Sequence, residues 1–338
     1  MTSPLARRAL RVASGRIAPL GAPPRSPALG PALVRAFASA RGPGGAATVD
    51  PKETAKFDAD AGRWWDETRG PFAPLHAMNP ARCAFARDVL TRHFTIAHPD
   101  AAPEAFRAAR AKQNPSDAAS AAPLAGLRLL DVGCGGGILC EALARMGADV
   151  VGVDASPGAV AAAEAHARAA LDPRAAARVA YRNVPAEVLL ETEPESFDAV
   201  LSMEVIEHVS DPAAFLANLA GLVKPRGAAI VSTINRTARS YALAILLAER
   251  LAGWVPPGTH EHAKFLTPEE LAVVAKRAGL RMREAAGMAY RPPNPAAGRG
   301  FIAGGEWRLG SDLGVNYVAY FAKEAEGGGG GGGGEGGG

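Results

Sequence analysis

The chain has 338 residues, is 48% hydrophobic and carries a net charge of +3, enough apolar material for the core of one large domain or two small ones. No stretch reaches the ~18–20 consecutive apolar residues that a helix needs to cross a bilayer, so no transmembrane anchor is expected. Residues 1–41 hold seven arginines, no lysine and no acid; without them residues 42–338 carry a net charge of −4, which removes the compositional case for nucleic-acid binding.

Leu5, Leu10, Val12 and Ile17 interleave with the leader arginines. That is the composition of an organellar transit peptide, and the apolar run is too broken for a secretory signal. Arg35-Ala36-Phe37 ahead of Ala38-Ser39 is similar to a mitochondrial presequence cleavage site. A mitochondrial address is therefore expected for residues 1–41, although a chloroplast address shares the composition. A Gly/Ala/Pro linker leads to residues 50–90, which read as a helical cap rich in aromatics. Residues 97–125 are Ala-, Pro- and Asp-rich with little periodicity, the pattern of a solvated low-complexity insertion.

The core then alternates. Strands are predicted over 127–132, 149–154, 178–182, 197–203 and 228–234, with helices over 138–146, 159–170 and 212–223. A helix over 268–279 precedes a terminal strand pair, 281–289 and 315–322, joined by a Pro/Gly-rich loop. Short apolar strands separated by helices imply an α/β fold with a seven-stranded, mostly parallel sheet covered on both faces. The domain is expected over residues 48–324, and the glycine-rich stretch 325–338 reads as a flexible tail. The three cysteines, Cys83, Cys134 and Cys140, form no CxxC pair, which fits a reducing compartment and no disulfide framework.

The most specific stretch is Leu129-Leu130-Asp131-Val132-Gly133-Cys134-Gly135-Gly136-Gly137-Ile138-Leu139, followed by Val150-Val151-Gly152-Val153-Asp154. It reads as a strand, a bare loop, a helix, and a second strand ending in a carboxylate. Glycine leaves no Cβ between backbone and ligand, and the helix start offers its free N–H groups. Asp154 stands 17 residues beyond Gly137, close to the spacing at which a carboxylate accepts from both hydroxyls of a ribose. An adenosine-containing cofactor is expected. The register argues against a dinucleotide: Ile138 stands three places after Gly135 and Cys140 three after Gly137, so the loop lacks G-x-G-x-x-G. Ligands of open sheets lie at the carboxyl ends of the strands, which gathers Gly133, Gly135, Asp154, Asn183 and residues 202–208 around one crevice. Asn183 is a candidate for the adenine edge, or for closing its own turn.

Ser202-Met203-Glu204-Val205-Ile206-Glu207-His208-Val209 follows the fourth strand. If it opens a helix, Glu204, Glu207 and His208 fall on one face. Two carboxylates suit Mg²⁺, which prefers oxygen ligands, and the histidine is a less typical partner for it. An acid-x-x-acid-His turn of this kind also serves without a metal.

The loop Asp131-x-Gly133-x-Gly135-x-Gly137 resembles motif I of the class I methyltransferases, which bind S-adenosylmethionine. The similarity extends to Lys56-Phe57, Arg63-Trp64-Trp65-Asp66, Phe72-x-Pro74-Leu75-His76-x-x-Asn79-Pro80-x-Arg82 and Met203-Glu204-x-x-Glu207-His208-Val209. With Val223-Lys224-Pro225, Ser232-Thr233-x-Asn235-Arg236, Pro257-Gly258-Thr259-His260, Lys264-Phe265 and Val315-Asn316-Tyr317, these stretches resemble the ubiquinone-biosynthesis O-methyltransferases over residues 50–323. Arg226 departs from the Lys-Pro-Gly-Gly turn that the resemblance leads one to expect.

The resemblance implies a Rossmann-like class I methyltransferase fold with S-adenosylmethionine as cofactor. Arg82 would pair with the cofactor carboxylate, a role suited to a two-pronged planar donor. Gly133 would touch the cofactor through its backbone, Asp154 would hold the ribose and Met203 would pack on adenine. Glu204, Glu207 and His208 would be the Mg²⁺ ligands. The implied substrates are polyprenylated catechols and hydroquinones, methylated at both O-methylation steps of ubiquinone synthesis. The implied place is the matrix face of the mitochondrial inner membrane, with other ubiquinone-biosynthesis proteins as partners.

A phenol has a pKa of about 10, so its oxygen must be helped to ionise. Mg²⁺ held by Glu204 and its neighbours is one means, and His208 or His260 as proton acceptor is another. The insert over 236–265 contains Tyr241 to Ala248, an unbroken apolar run bounded by Arg239 and Arg250, with Trp254 beyond. It reads either as a buried lid helix or as a segment lying at the lipid interface, and a long prenyl tail favours the second.

Overall fold

The computed structural model describes residues 47–112, 122–243, 261–291 and 305–324. The leader, the glycine tail, most of the 236–265 insert and His260 lie outside the described residues.

The sheet is built from β1 (Arg128–Val132), β2 (Asp149–Val153), β3 (Val179–Arg182), β4 (Phe197–Met203), β5 (Val223–Ile234), β6 (Leu280–Arg291), β7 (Glu306–Gly310) and β8 (Asn316–Lys323). Their order across it is β3-β2-β1-β4-β5-β8-β6-β7. The first five strands pair in parallel. β8 then runs antiparallel between β5 and β6. Chain order reverses between β1 and β4, so a crevice opens there at the carboxyl ends of the strands.

Neighbouring residues in the central strands feed opposite layers, as the period of two requires. Leu129 and Val150 join the core on one face with Val89, Leu90, Phe106 and Leu143. Leu130 and Val151 join the other with Phe215, Leu216, Leu271 and Tyr317. The helices start where a small polar residue precedes proline. Ser156 caps Pro157–Ala170, Asp211 caps Pro212–Leu222, and Thr267 forms a capping box with Glu270 ahead of Pro268–Arg277. Each cap oxygen takes a free N–H while the proline occupies a place that has no donor to lose.

Two expectations need correction. The sheet has eight strands: β7 adds to the outer edge, pairing Glu306–Gly310 against Gly287–Arg291 of β6. Its five residues alternate between exposed and half-buried, so no apolar run announces it. The stretch 97–125 is not wholly a solvated insertion. Glu104–Ala111 is a helix that buries Phe106, and Leu124 is fully buried. The helix is short and amphipathic, but its buried face carries Phe106 as its one large side chain, with alanines for the rest. Residues 113–121 of that stretch lie outside the described set.

The N-terminal cap consists of α1 (Pro51–Ala59), a short turn at Ala61–Arg63, and the long α2 (Ala73–Arg92). α1 and the turn lie over the carboxyl end of the sheet, and α2 runs from there along one face, where Phe85, Val89 and Leu90 join the core. Asp58 accepts from Ser156 Oγ and from the Gly158 N–H, both at 2.8 Å. The Asn79 side-chain amide donates to the Ile138 carbonyl at 3.1 Å.

Candidate functional site

The loop between β1 and Ile138–Arg145 turns through positive φ at Gly133, Gly135 and Gly137. Its glycines serve close approach as well as turning. A Cβ on Gly135 would come within 2.2 Å of the Trp64 ring, and one on Gly133 within 2.4 Å of Val205. Trp64 is buried and stacks on Phe72 with centroids 3.6 Å apart. Trp65 Nε1 donates to the Gly136 carbonyl at 3.0 Å, and its ring stacks on His166. The paired tryptophans of the cap therefore cover the glycine loop. Trp65→Phe loses the bond to Gly136 and part of the ring that meets His166 and His76, and is expected to cost at least about 1 kcal/mol in urea unfolding.

Asp154, just past β2, accepts from the Gly135 N–H through Oδ2 at 2.9 Å and from the Ser156 N–H through Oδ1 at 2.8 Å. Burial pushes its pKa up, against the pull of these bonds. The Asn183 amide donates to the Asp154 carbonyl at 2.9 Å. This bond is not a local turn: it ties the end of β3 to the end of β2, at the rim of the crevice. Met203 is buried at the end of β4 among the core side chains.

Arg82, on α2, is buried. Its Nη2 stands 3.5 Å from Glu204 Oε1, and its Nε has no hydrogen-bond partner. Its charge also reaches Asp131, whose carboxyl burial lifts to about 6 while the Cys140 thiol and Arg82 restrain the rise. Cys134 and Cys140 are buried with raised thiol pKa values, the opposite of an activated nucleophile.

The acidic trio is arranged differently from expectation. Glu204 does not begin a helix. Its φ is 58°, a left-handed conformation that costs a side-chain-bearing residue about 1–2 kcal/mol and persists where surrounding contacts enforce it. Here the contacts are several. Its N–H donates to the Ser232 carbonyl at 3.0 Å. Its carboxylate accepts from Ser232 Oγ at 2.7 Å and from Asn316 Nδ2 at 3.2 Å.

Ile206–His208 is a single 3-10 turn. Glu207 is buried. Its Oε2 accepts from Thr233 Oγ1 at 2.9 Å, while its Oε1 has no hydrogen-bond partner. Burial and the adjacent Glu204 charge raise its pKa to about 7. The His208 Nδ1 lies 2.9 Å from Glu53 Oε2 on α1. Hydrogen bonding by His208 holds the Glu53 carboxyl down at about 2, against the effect of burial. The three side chains thus meet at one end of the sheet but do not share one helical face. Among the described residues no group of three or more His, Cys, Asp or Glu is preformed to hold a metal ion.

Gly133, Gly135, Asp154, Arg82, Met203 and the acidic trio do come together around the crevice. Sequence reasoning gave no role to Glu53, Trp64, Ser232, Thr233 or Asn316. The last three lay inside motifs already singled out, Ser232-Thr233 and Val315-Asn316-Tyr317. Their hydroxyls and amide are the donors that the two acidic side chains just past β4 require. Glu53 carries no such signal, because its partner is 155 residues away.

A methyltransferase-domain family model matches residues 103–285. The chain is 47% identical over 271 residues to the ubiquinone biosynthesis O-methyltransferase of Azorhizobium caulinodans, covering 80% of this chain and 92% of that protein. It is 44% identical over 279 residues to the mitochondrial ubiquinone biosynthesis O-methyltransferase of Arabidopsis thaliana, covering 82% of this chain and 76% of that protein. A chain of Rhodopseudomonas palustris with the same description is 43% identical over 274 residues, covering 81% of this chain and 93% of that protein. With the glycine loop, the acidic trio and the tryptophan cap drawn to one crevice, these matches place the chain in the family of ubiquinone biosynthesis O-methyltransferases.

Proposed function

We propose that this chain transfers the methyl group of S-adenosylmethionine to a phenolic oxygen of 3,4-dihydroxy-5-polyprenylbenzoate and of demethylubiquinol. The observation that carries the reading is the convergence of the bare loop at Gly133–Gly137, Asp154 and Arg82 at the β1/β4 crevice, in a chain of this family. In the proposed complex Arg82 faces the cofactor carboxylate, Gly133 approaches it through the backbone, and Asp154 accepts the ribose hydroxyls. Met203 lies against adenine. The sulfonium is already a good leaving group, so the protein must align oxygen, carbon and sulfur and favour the phenolate.

Mg²⁺ belongs to this proposal through one observation: the buried Glu207 Oε1 lacks any hydrogen-bond partner beside a second carboxylate, and a hard cation fits that oxygen-rich setting. Glu204, Glu207 and His208 would hold it. When bound, the ion stabilises a phenolate and fixes the ring. A second reading, His208 as proton acceptor, is favoured by its contact with Glu53 at 2.9 Å.

Purified protein is expected to methylate short-chain catechol and demethyl-quinol analogues, scored separately, and to bind S-adenosylhomocysteine but not NAD. No binding of S-adenosylhomocysteine would end the proposal. Glu204→Ala and Glu207→Ala are expected to lower kcat at least about 100-fold and to abolish its dependence on added Mg²⁺. Full activity of both variants without metal removes the ion from the mechanism.

The leader composition and the mitochondrial relative support a mitochondrial address. We place the protein peripherally on the inner membrane. No helix among the described residues is long and apolar enough to cross one. Tyr241 and Leu243, where the apolar insert begins, are each 40% exposed, as a lipid-facing edge would be. Cosedimentation with cardiolipin-containing liposomes is the expected result, and its absence would discard the placement.

A further inference from the structure

Glu53 is an acid buried to 7% exposure on a cap helix otherwise of mixed character. A carboxylate there is costly unless it is paired, and two groups pair it. Lys56 Nζ lies 2.8 Å from Oε1, one turn along the same helix. His208 Nδ1 lies 2.9 Å from Oε2 across the interface. Phe57, the fourth residue after Glu53 on α1, meets the His208 imidazole edge-on with centroids 5.3 Å apart. The cap thus grips the one imidazole of the acidic trio from two sides.

A carboxylate can only accept. In neutral His208 the hydrogen must therefore sit on Nδ1 and the lone pair on Nε2. The same partnership raises the basicity of the far nitrogen, whether that nitrogen takes a proton or ligates a cation.

We propose that Glu53 is a positioning residue for methyl transfer: by fixing the tautomer and orientation of His208 it makes the seating of the N-terminal cap a condition for chemistry. The inference rests on the proposed O-methyltransferase reaction but holds for either role of His208. Assembly of the cap on the crevice then completes the site, and a chain whose cap has lifted keeps the glycine loop but lacks an oriented imidazole.

Glu53→Gln preserves shape and removes the charge. It is expected to lower kcat about 10–100-fold, the range for loss of such an orienting partner, with KM for S-adenosylmethionine within about twofold. Glu53→Asp, which keeps the charge but shortens its reach, is expected to fall between. The decisive comparison is a double-mutant cycle. In a His208→Gln background, Glu53→Gln should cost less than about twofold more, because the group it acts through is gone. A full, additive loss in that background would reduce Glu53 to a structural residue and overturn the proposal, as would unchanged kcat in the single variant. Nitrogen-15 spectra of the His208 ring at alkaline pH supply a readout that needs no turnover. The uncomplexed chain should show hydrogen on Nδ1, and Glu53→Gln should mix the tautomers. Identical spectra would overturn the proposal. If the native chain transfers no methyl group, the reaction assigned to it fails, and the spectra alone then decide the role of Glu53.

Discussion

Replacing Asp154 with alanine is expected to weaken S-adenosylhomocysteine binding about 100- to 1000-fold in a calorimetric titration. Two consequences add. A carboxylate accepting from a vicinal diol makes charge-assisted hydrogen bonds worth about 1.5–3 kcal/mol each, and every 1.4 kcal/mol is about tenfold in affinity. The same carboxylate holds the Gly135 and Ser156 N–H groups, so its removal also loosens the turn that the ligand must meet. Asp154→Asn retains one acceptor oxygen and should lose only about tenfold. Both variants should stay folded, because the strands on either side are fixed by their ladder and by the buried Val151 and Val153. Affinity of the alanine variant within threefold of the parent would show that the ribose lies elsewhere, and the cofactor reading of the loop would fail with it.

The strands and helices of the core were legible because each carries its own signal. Leu129-Leu130 and Val150-Val151 are too apolar for anything but strands buried on both faces, and Ser156, Asp211 and Thr267 each stand before proline where a helix begins. The cofactor loop was legible for a stricter reason: three glycines at alternate positions are needed where the backbone takes positive φ and where Trp64 and Val205 leave no room for a Cβ. β7 was not legible because it is short: only Trp307 and Leu309, alternating with Glu306 and Arg308, turn an apolar face to the core. The partners of the acidic trio were not legible either. Glu204, Glu207 and His208 were read as neighbours on one helix, yet each is held by a residue from another element: Ser232 and Asn316, Thr233, and Glu53. Local sequence records which groups are present and says little about what distant chain is folded against them. Arg226 shows the converse. Its φ of 62° is the conformation for which a Lys-Pro-Gly-Gly turn supplies glycine, so the departure noted in the sequence falls at a position with a conformational cost.

Acidification should expose a second buried imidazole, far from the reaction. His93 is 1% exposed at the end of α2. Its Nε2 lies 2.9 Å from the Arg226 carbonyl and its Nδ1 lies within hydrogen-bond reach of the Tyr320 hydroxyl. A carbonyl accepts only, so Nε2 carries the hydrogen and Nδ1 takes the one from Tyr320; the ring is neutral with both nitrogens used. Burial accordingly pulls its pKa down to about 4. The folded-state value lies below the unfolded value of 6.5, so the stabilisation is full above pH 6.5 and is lost as pH falls toward 4. The whole is about 3 kcal/mol.

The raw pH profile will not display that loss, because other groups titrate in the same window with opposite sign. Asp131 at about 6 and Glu207 at about 7 are raised, and both regain stability on acidification. Glu53, held at about 2, acts only below its unfolded value of 4.5. The comparison that isolates His93 is between the native chain and His93→Gln, whose amide offers one donor and one acceptor but does not titrate. At pH 7.5 the native chain should be the more stable in urea. Between pH 6.5 and 4.5 that advantage should shrink by about 2–3 kcal/mol, and the order of the two proteins should reverse. A difference that stays constant across the window would mean that His93 protonates as readily in the fold as outside it, and that its two hydrogen bonds do not hold it neutral.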